Sequence, residues 1–277
     1  MNHKFIVFYN WISFLFLSMQ NVITKIEQLL PLLENEDNGV ITIKSRIFFE
    51  ILEKITNVKE RDFKLIYPST GIGSTTIFEV TLLSLFIKII NAKKITEIGT
   101  FLGYTTSIMA LNSSNDCEII TIDLPKNNYK TQNNLVDRDF LMKDWEANDD
   151  FLRSTQDELG EIYINNQDKE ILNKIKKFKV DSTKLTKEFL QEINGSDLFF
   201  IDGGHAQEII EIDTNNALQS IKENGLICWH DYNSKTHIEV TQFIDNKFSI
   251  NHKVLHIENT MLAIYSKNLF SFFYPYQ

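Results

Sequence analysis

Short unbroken apolar runs alternate along this chain with longer stretches whose apolar residues recur every three or four positions, the pattern of buried strands separated by amphipathic helices. Residues 94–98, 117–122, 197–201 and 226–229 are the strand-like runs. Between them, residues 77–90 place Leu82, Leu83, Phe86 and Ile90 on one helical face. Ala206, Ile209, Ile210, Ala217, Leu218 and Ile221 do the same before Asn224-Gly225, a pair suited to ending a helix in the left-handed conformation. Upstream, residues 19–34 and 44–58 also have helical spacing, with Pro31 expected to kink the first. The alternation predicts an open α/β sheet preceded by a helical extension.

Polar chemistry collects where the strands end, the edge at which open α/β sheets bind ligands. The first run leads into Glu97-Ile98-Gly99-Thr100-Phe101-Leu102-Gly103-Tyr104-Thr105 and at once into a helix-forming segment, so both glycines fall in a strand-to-helix turn. Their G-x-x-x-G spacing is not the G-x-G-x-x-G of dinucleotide sites, where backbone approaches a pyrophosphate. A ligand without phosphates fits better. The second run ends in Asp123, roughly 20 residues after the turn, where a carboxylate can accept both hydroxyl protons of a ribose. A nucleoside is implied. The third run ends in Asp202-Gly203-Gly204-His205 and the fourth in His230-Asp231-Tyr232.

Taken in order, the glycine turn, T-I-D-L-P at 121–125, V-D-S at 180–182, F-I-D-G-G-H at 200–205 and N-G-L-I-C-W-H-D-Y at 224–232 resemble the bacterial class I S-adenosylmethionine-dependent methyltransferases. The branch called methyltransferase domain family 24 is the most similar, and the glycine turn by itself also resembles the catechol and caffeoyl-CoA O-methyltransferases. The resemblance covers residues 77–267. It implies a Rossmann-like, doubly wound seven-stranded sheet in the order 3-2-1-4-5-7-6, with the last strand antiparallel. It also implies S-adenosyl-L-methionine as cofactor and in-line methyl transfer to an oxygen or nitrogen of a small-molecule acceptor. Carried onto this chain, the cofactor-binding positions are Glu97, Gly99, Thr100, Gly103, Thr105, Asp123, Leu124, Asp181, Ser182 and Asp202, and His205 or Asp231 faces the acceptor. Glu97 is expected to fix the turn or hold the cofactor's amino-acid end, not to act as a base. Val180 departs from the glycine often found there. The catechol-type relatives hold a divalent cation with an Asp at position 202 and an Asp-Asn pair at 231–232, but here Tyr232 follows Asp231. A divalent metal is therefore open but not favoured.

Composition bounds the rest. With 277 residues, 43% hydrophobic and 23% charged, the chain is long enough for one sizeable core. The expected layout is a helical extension over 1–76, a methyltransferase domain over 77–267 and an aromatic tail over 268–277. A net charge of −9 argues against a nucleic-acid partner, which needs clustered Lys and Arg. The basic cluster 174–179 reads as the solvated face of a short helix. Cys117 and Cys228 sit in predicted strands as small hydrophobes, which suits a reducing, cytoplasmic setting. Asn112-Ser113-Ser114 and Asn194-Gly195-Ser196 match glycosylation acceptors but are equally ordinary turns. Residues 5–17 are apolar and aromatic yet shorter than the roughly 20 residues of a membrane span. They are either a weak interfacial anchor or untranslated, with initiation at Met19.

Residues 124–179 make a connection far longer than α/β loops usually are, and read either as an acceptor-binding lid or as a structural insertion. Residues 68–75 read as a linker closing over the cofactor. The upstream helices and the tail leave a homodimer open. His230 is expected to bond backbone at the sheet edge, and His237, His252 and His256 to be structural or exposed. Two other classes stay in play: a nicotinamide-dependent oxidoreductase, which shares the ribose acid but wants the other glycine spacing, and a non-catalytic cofactor-binding module.

Overall fold

The computed structural model describes residues 22–23, 38–55, 62–67, 73–125, 152, 155–156 and 158–268. Strands β1 (Val22–Ile23) and β2 (Gly39–Ile43) precede helices α1 (Ser45–Ile55) and α2 (Ile77–Ile89). Strands and helices then alternate: β3 (Lys94–Ile98), α3 (Tyr104–Asn112), β4 (Glu118–Asp123), the one-turn α4 (Ile162–Asn165) and α5 (Lys169–Leu172), β5 (Ile175–Lys179) and α6 (Lys187–Ile193). They continue with β6 (Ser196–Ile201), α7 (Gln207–Ser220), β7 (Ile221–Trp229), α8 (Ile238–Phe243), β8 (Lys253–Ile257) and β9 (Ala263–Tyr265).

All nine strands form one sheet in the order β1-β2-β8-β9-β7-β6-β3-β4-β5. From β3 onward this is the expected 3-2-1-4-5-7-6, with β9 antiparallel to both its neighbours and the remaining pairs parallel. Because successive strand residues face opposite sides, Leu198 and Phe200 pack with Leu82, Leu83 and Phe86 of α2, while Phe199 and Ile201 pack with Ile210 and Ala217 of α7. Both faces are covered. The polar strand ends are left as the accessible edge.

Three local expectations are corrected. The N-terminal extension is not only helical: β2 runs parallel to β8 and β1 parallel to β2, so the sheet has nine strands, not seven. Its β-branched Ile41 and Ile43 join the core, and Thr42 Oγ1 lies 3.2 Å from His256 Nδ1 across the pair. Val22–Ile23 falls inside the predicted helix 19–34, whose other residues lie outside the described ones, as do 5–17 and the tail aromatics. Second, the basic cluster is the edge strand β5, whose lysines discourage a further strand from pairing. Lys176 meets Glu118 and Glu192, and Lys177 and Lys179 both reach Glu161. Third, α7 stops at Ser220, and Asn224-Gly225 lies within β7. Gly225 is there for space: a Cβ would stand 2.6 Å from Ile221 Cγ1 and 2.9 Å from the Asp197 carbonyl oxygen.

Glu97 sits between the sheet and α3, fully buried. Its Oε2 accepts hydrogen bonds from Thr106 and, at 2.6 Å, from Thr121, the residue directly opposite on β4. Oε1 has no partner. Burial pushes the carboxyl up to about 8 despite the two hydroxyls, with Asp202 and Asp123 adding repulsion. The folded protein therefore keeps a proton that the unfolded chain releases near pH 4.5, so this group's contribution to stability falls as pH rises from about 4.5 to about 8. Glu97→Gln should flatten that slope, worth at most about 5 kcal/mol, in urea unfolding at pH 5 and pH 8. A slope unchanged in the variant would place the proton elsewhere. Gly225→Ala should cost about 1–3 kcal/mol by the same measurement.

Candidate active site

At the carboxyl ends of β3, β4, β6 and β7 lies a cavity of about 340 Å³. Gly99 shapes it. The Gly99 amide donates to the Ile122 carbonyl at 2.8 Å, and the Asp202 amide donates to the Ile98 carbonyl at 2.8 Å, which ties the ends of β3, β4 and β6 together. With φ +98° and a hypothetical Cβ only 1.9 Å from the Asp202 carbonyl oxygen, the position admits glycine alone. Thr100 meets Thr121 hydroxyl to hydroxyl at 2.6 Å, and Thr105 meets Thr75.

Of the residues singled out from the sequence, Gly99, Thr100, Thr105, Asp123, Leu124, Asp181, Ser182, Asp202, His205 and Asp231 all line this one cavity. Glu97 and Gly103 stand behind it. Gly103 precedes α3 and packs against Ile164, whose Cγ1 a Cβ would meet at 2.5 Å. Asp123 Oδ1 accepts from the Leu124 amide at 2.9 Å, and Oδ2 from Gln156 Nε2 at 2.6 Å. Asp181 Oδ1 caps the turn 182–184 through the Thr183 amide, while Ser182 is steadied by Asn216 on α7, which donates to its carbonyl at 3.0 Å.

The far end of the cavity is a charge cluster. The His230 amide donates to the Ile201 carbonyl at 3.0 Å at the sheet edge, and its ring nests among three carboxylates. Nε2 lies 3.4 Å from Glu79 Oε2, and Nδ1 lies 3.1 Å from Asp202 Oδ1 and 3.3 Å from Asp231 Oδ2. Burial alone would lower its pKa, but the charge of Asp202 and the hydrogen bonds to all three acids hold it well above the ordinary value. Those contacts favour the imidazolium form of His230. Reciprocally, burial would raise Glu79, but His230, the Met261 amide and the Thr76 amide bring it down to about 2. For Asp231, burial is outweighed by hydrogen bonds from His205 and His230, and its carboxyl is held well below the usual range. Asp231 itself adopts φ +61°, a conformation in which Asp and Asn are over-represented, and so aims its side chain back over the strand ends.

His205 completes the cluster, with Nε2 3.0 Å from Asp231 Oδ2. His237, expected to be structural or exposed, instead lines the cavity, its ring stacked on that of His205 at 3.6 Å between centroids. Asp202, His230 and Asp231 gather their donor atoms within 4.8 Å, as do His205, Asp231 and His237. Neither set matches the catechol-type magnesium site. Its third oxygen ligand falls at Tyr232, which is buried against His256 and donates its hydroxyl to Asp245 at 2.9 Å.

Sequence reasoning missed Glu79, Gln156 and His237. Glu79 carries a signal: Thr76-x-x-Glu79 is a capping box at the start of α2, and the same carboxylate bonds the Met261 amide at 2.6 Å. Gln156 and His237 have none, because only the folded chain brings them to the cavity. From the long connection, Tyr129, Phe140, Trp145 and Phe151 lie outside the described residues, whereas Tyr163 packs edge-on to Tyr104.

A family model described as a methyltransferase domain matches residues 96–232. A 60-residue stretch is 39% identical to caffeoyl-CoA O-methyltransferase 2 of Petunia hybrida, covering 22% of this chain and 25% of that one, so the chain spans about a quarter of the curated relative it matches. Similar solved structures include the O-methyltransferase TomG of Streptomyces achromogenes in complex with SAM, 16% identical over 72% of this chain and 70% of that one with a TM-score of 0.37. The O-methyltransferase of Bacillus cereus in complex with SAH is 17% identical over 73% and 72%, with a TM-score of 0.38. Likenesses that distant speak to neither substrate nor mechanism. The matched segment itself carries the glycine turn, Asp123, Asp202, His205 and Asp231. Residues 96–232, just under half of the chain, thus match the methyltransferase domain family.

Proposed function

We propose that the protein is a class I S-adenosylmethionine-dependent methyltransferase that transfers a methyl group to an oxygen, or a nitrogen, of a small-molecule acceptor. One observation carries this reading: a ribose-type carboxylate, a glycine turn and an imidazole–carboxylate pair converge on a single cavity. Asp123 holds the ribose, and Asp181 and Ser182 border the adenine. Gly99, Thr100 and Asp202 border the methionine end, with Glu97 and Gly103 shaping the turn from behind. When bound, S-adenosylmethionine supplies a methyl group already activated by a sulfonium.

The chain's own contribution is orientation, exclusion of water and removal of one proton. The methyl group would pass from the sulfonium to the acceptor oxygen or nitrogen, leaving a neutral thioether, and His205 would take the acceptor's proton. Asp231, 3.0 Å from Nε2, orients that imidazole and stabilises the imidazolium it becomes. Glu79, Asp202 and Asp231 outnumber the charge of His230, which leaves the cavity's far end negative and suited to a cation. The chemistry asks for no metal. Both cysteines are buried and free, consistent with the cytoplasm as the working compartment. Among the described residues, no helix is long and apolar enough to cross a membrane.

Asp123→Ala should weaken S-adenosylhomocysteine binding at least about tenfold in calorimetry, since hydrogen bonds to a charged group are worth about 1.5–3 kcal/mol. Compared on a Gln156→Met background, where Asp123 has lost its Gln156 donor, unchanged affinity would remove Asp123 from the ribose site.

A further inference from the structure

Both oxygens of Asp123 already have protein donors. Oδ1 accepts from the Leu124 amide at 2.9 Å, and Oδ2 accepts from Gln156 Nε2 at 2.6 Å and Lys179 Nζ at 3.3 Å. A carboxylate oxygen offers about two lone-pair sites, so Oδ2 is filled. The same Gln156 nitrogen donates to the Phe101 carbonyl at 2.7 Å. One amide therefore bridges the end of β4 and the glycine turn, giving Asp123 an N–H donor on the oxygen where a ribose would present a hydroxyl.

We propose that Gln156 is an internal ligand of the ribose carboxylate, a latch that the cofactor must displace. This rests on the reading of Asp123 as the ribose site. Gln156 is held by few other contacts among the described residues around it. Leu152, four residues earlier, stands against Gly73, where a Cβ would come within 3.0 Å of it. The Gly160 amide donates to the Gln156 carbonyl at 2.6 Å, and Gly160 takes φ +64°. Beyond that glycine the chain is anchored: Glu161 pairs with Lys177 and Lys179, and the Tyr163 amide donates to the Leu102 carbonyl at 3.2 Å.

A latch of this kind lowers apparent affinity by the fraction of molecules in which it is open. Removing its donor removes that penalty. Gln156→Met keeps the length of the side chain and loses both N–H groups. Titrated with S-adenosylhomocysteine, it should bind about tenfold more tightly than the natural protein, with the gain in the association rate measured by stopped flow. Placed on an Asp123→Ala background, Gln156→Met should give no gain, because the latch has lost its catch. Equal or weaker binding by Gln156→Met in the Asp123 protein would overturn the latch, weaker binding marking Gln156 as a direct cofactor contact. If neither the natural protein nor Gln156→Met takes up S-adenosylhomocysteine, the cofactor assignment itself fails, a result distinct from binding that ignores position 156.

Discussion

Three strand ends meet at Gly99, and the rest of the site depends on how closely they meet. Backbone hydrogen bonds join β3 to β4 on one side and to β6 on the other, and the Asp202 carbonyl occupies the space that any side chain at 99 would need. The approach is a constraint of excluded volume, not of attraction. Once it is satisfied, Asp123 and Asp202 are delivered to opposite sides of one turn, and the helix α3 starts directly beneath them.

A second constraint is electrostatic. Glu79, Asp202, His230 and Asp231 cluster at and behind the cavity wall, and the three acids tolerate burial because the histidine offers them the opposite charge. His230 is the hub. Its contacts run to the start of α2, to the end of β6 and to the residue that follows it, so the imidazolium also holds elements in place. Losing it would leave like charges facing each other in a region largely closed to water.

Much of this was legible beforehand for a physical reason. Buried parallel strands must be apolar on both faces, so β3, β4 and β6 stand out as unbroken runs, and the residues that end them mark the ligand edge. Ten of the twelve residues that the family resemblance carries onto this chain line the cavity. Elements at the sheet's margins were harder. β5 is lysine-rich because it is an edge, and composition hid its period; β2 is short and isolated from the other strands in sequence. Gly225 resembled a helix cap because Asn-Gly fits that role, whereas the cause is a close approach of Ile221 and Asp197 that only tertiary packing creates. Glu79, Gln156 and His237 are long-range arrivals, and periodicity carries no information about them.

The strand β2 has a consequence for where this domain begins. Matched in sequence, the family segment starts inside β3, and a boundary placed near residue 76 would look natural. It would strip β2 from β8, leaving five residues of parallel ladder unpaired and Leu255 and Ile257 without Ile41 and Ile43 beside them. The shortened protein would present a bare, apolar sheet margin to its own copies. β2 and the strands after it thus share one sheet, and a protein cut at residue 76 is expected to self-associate.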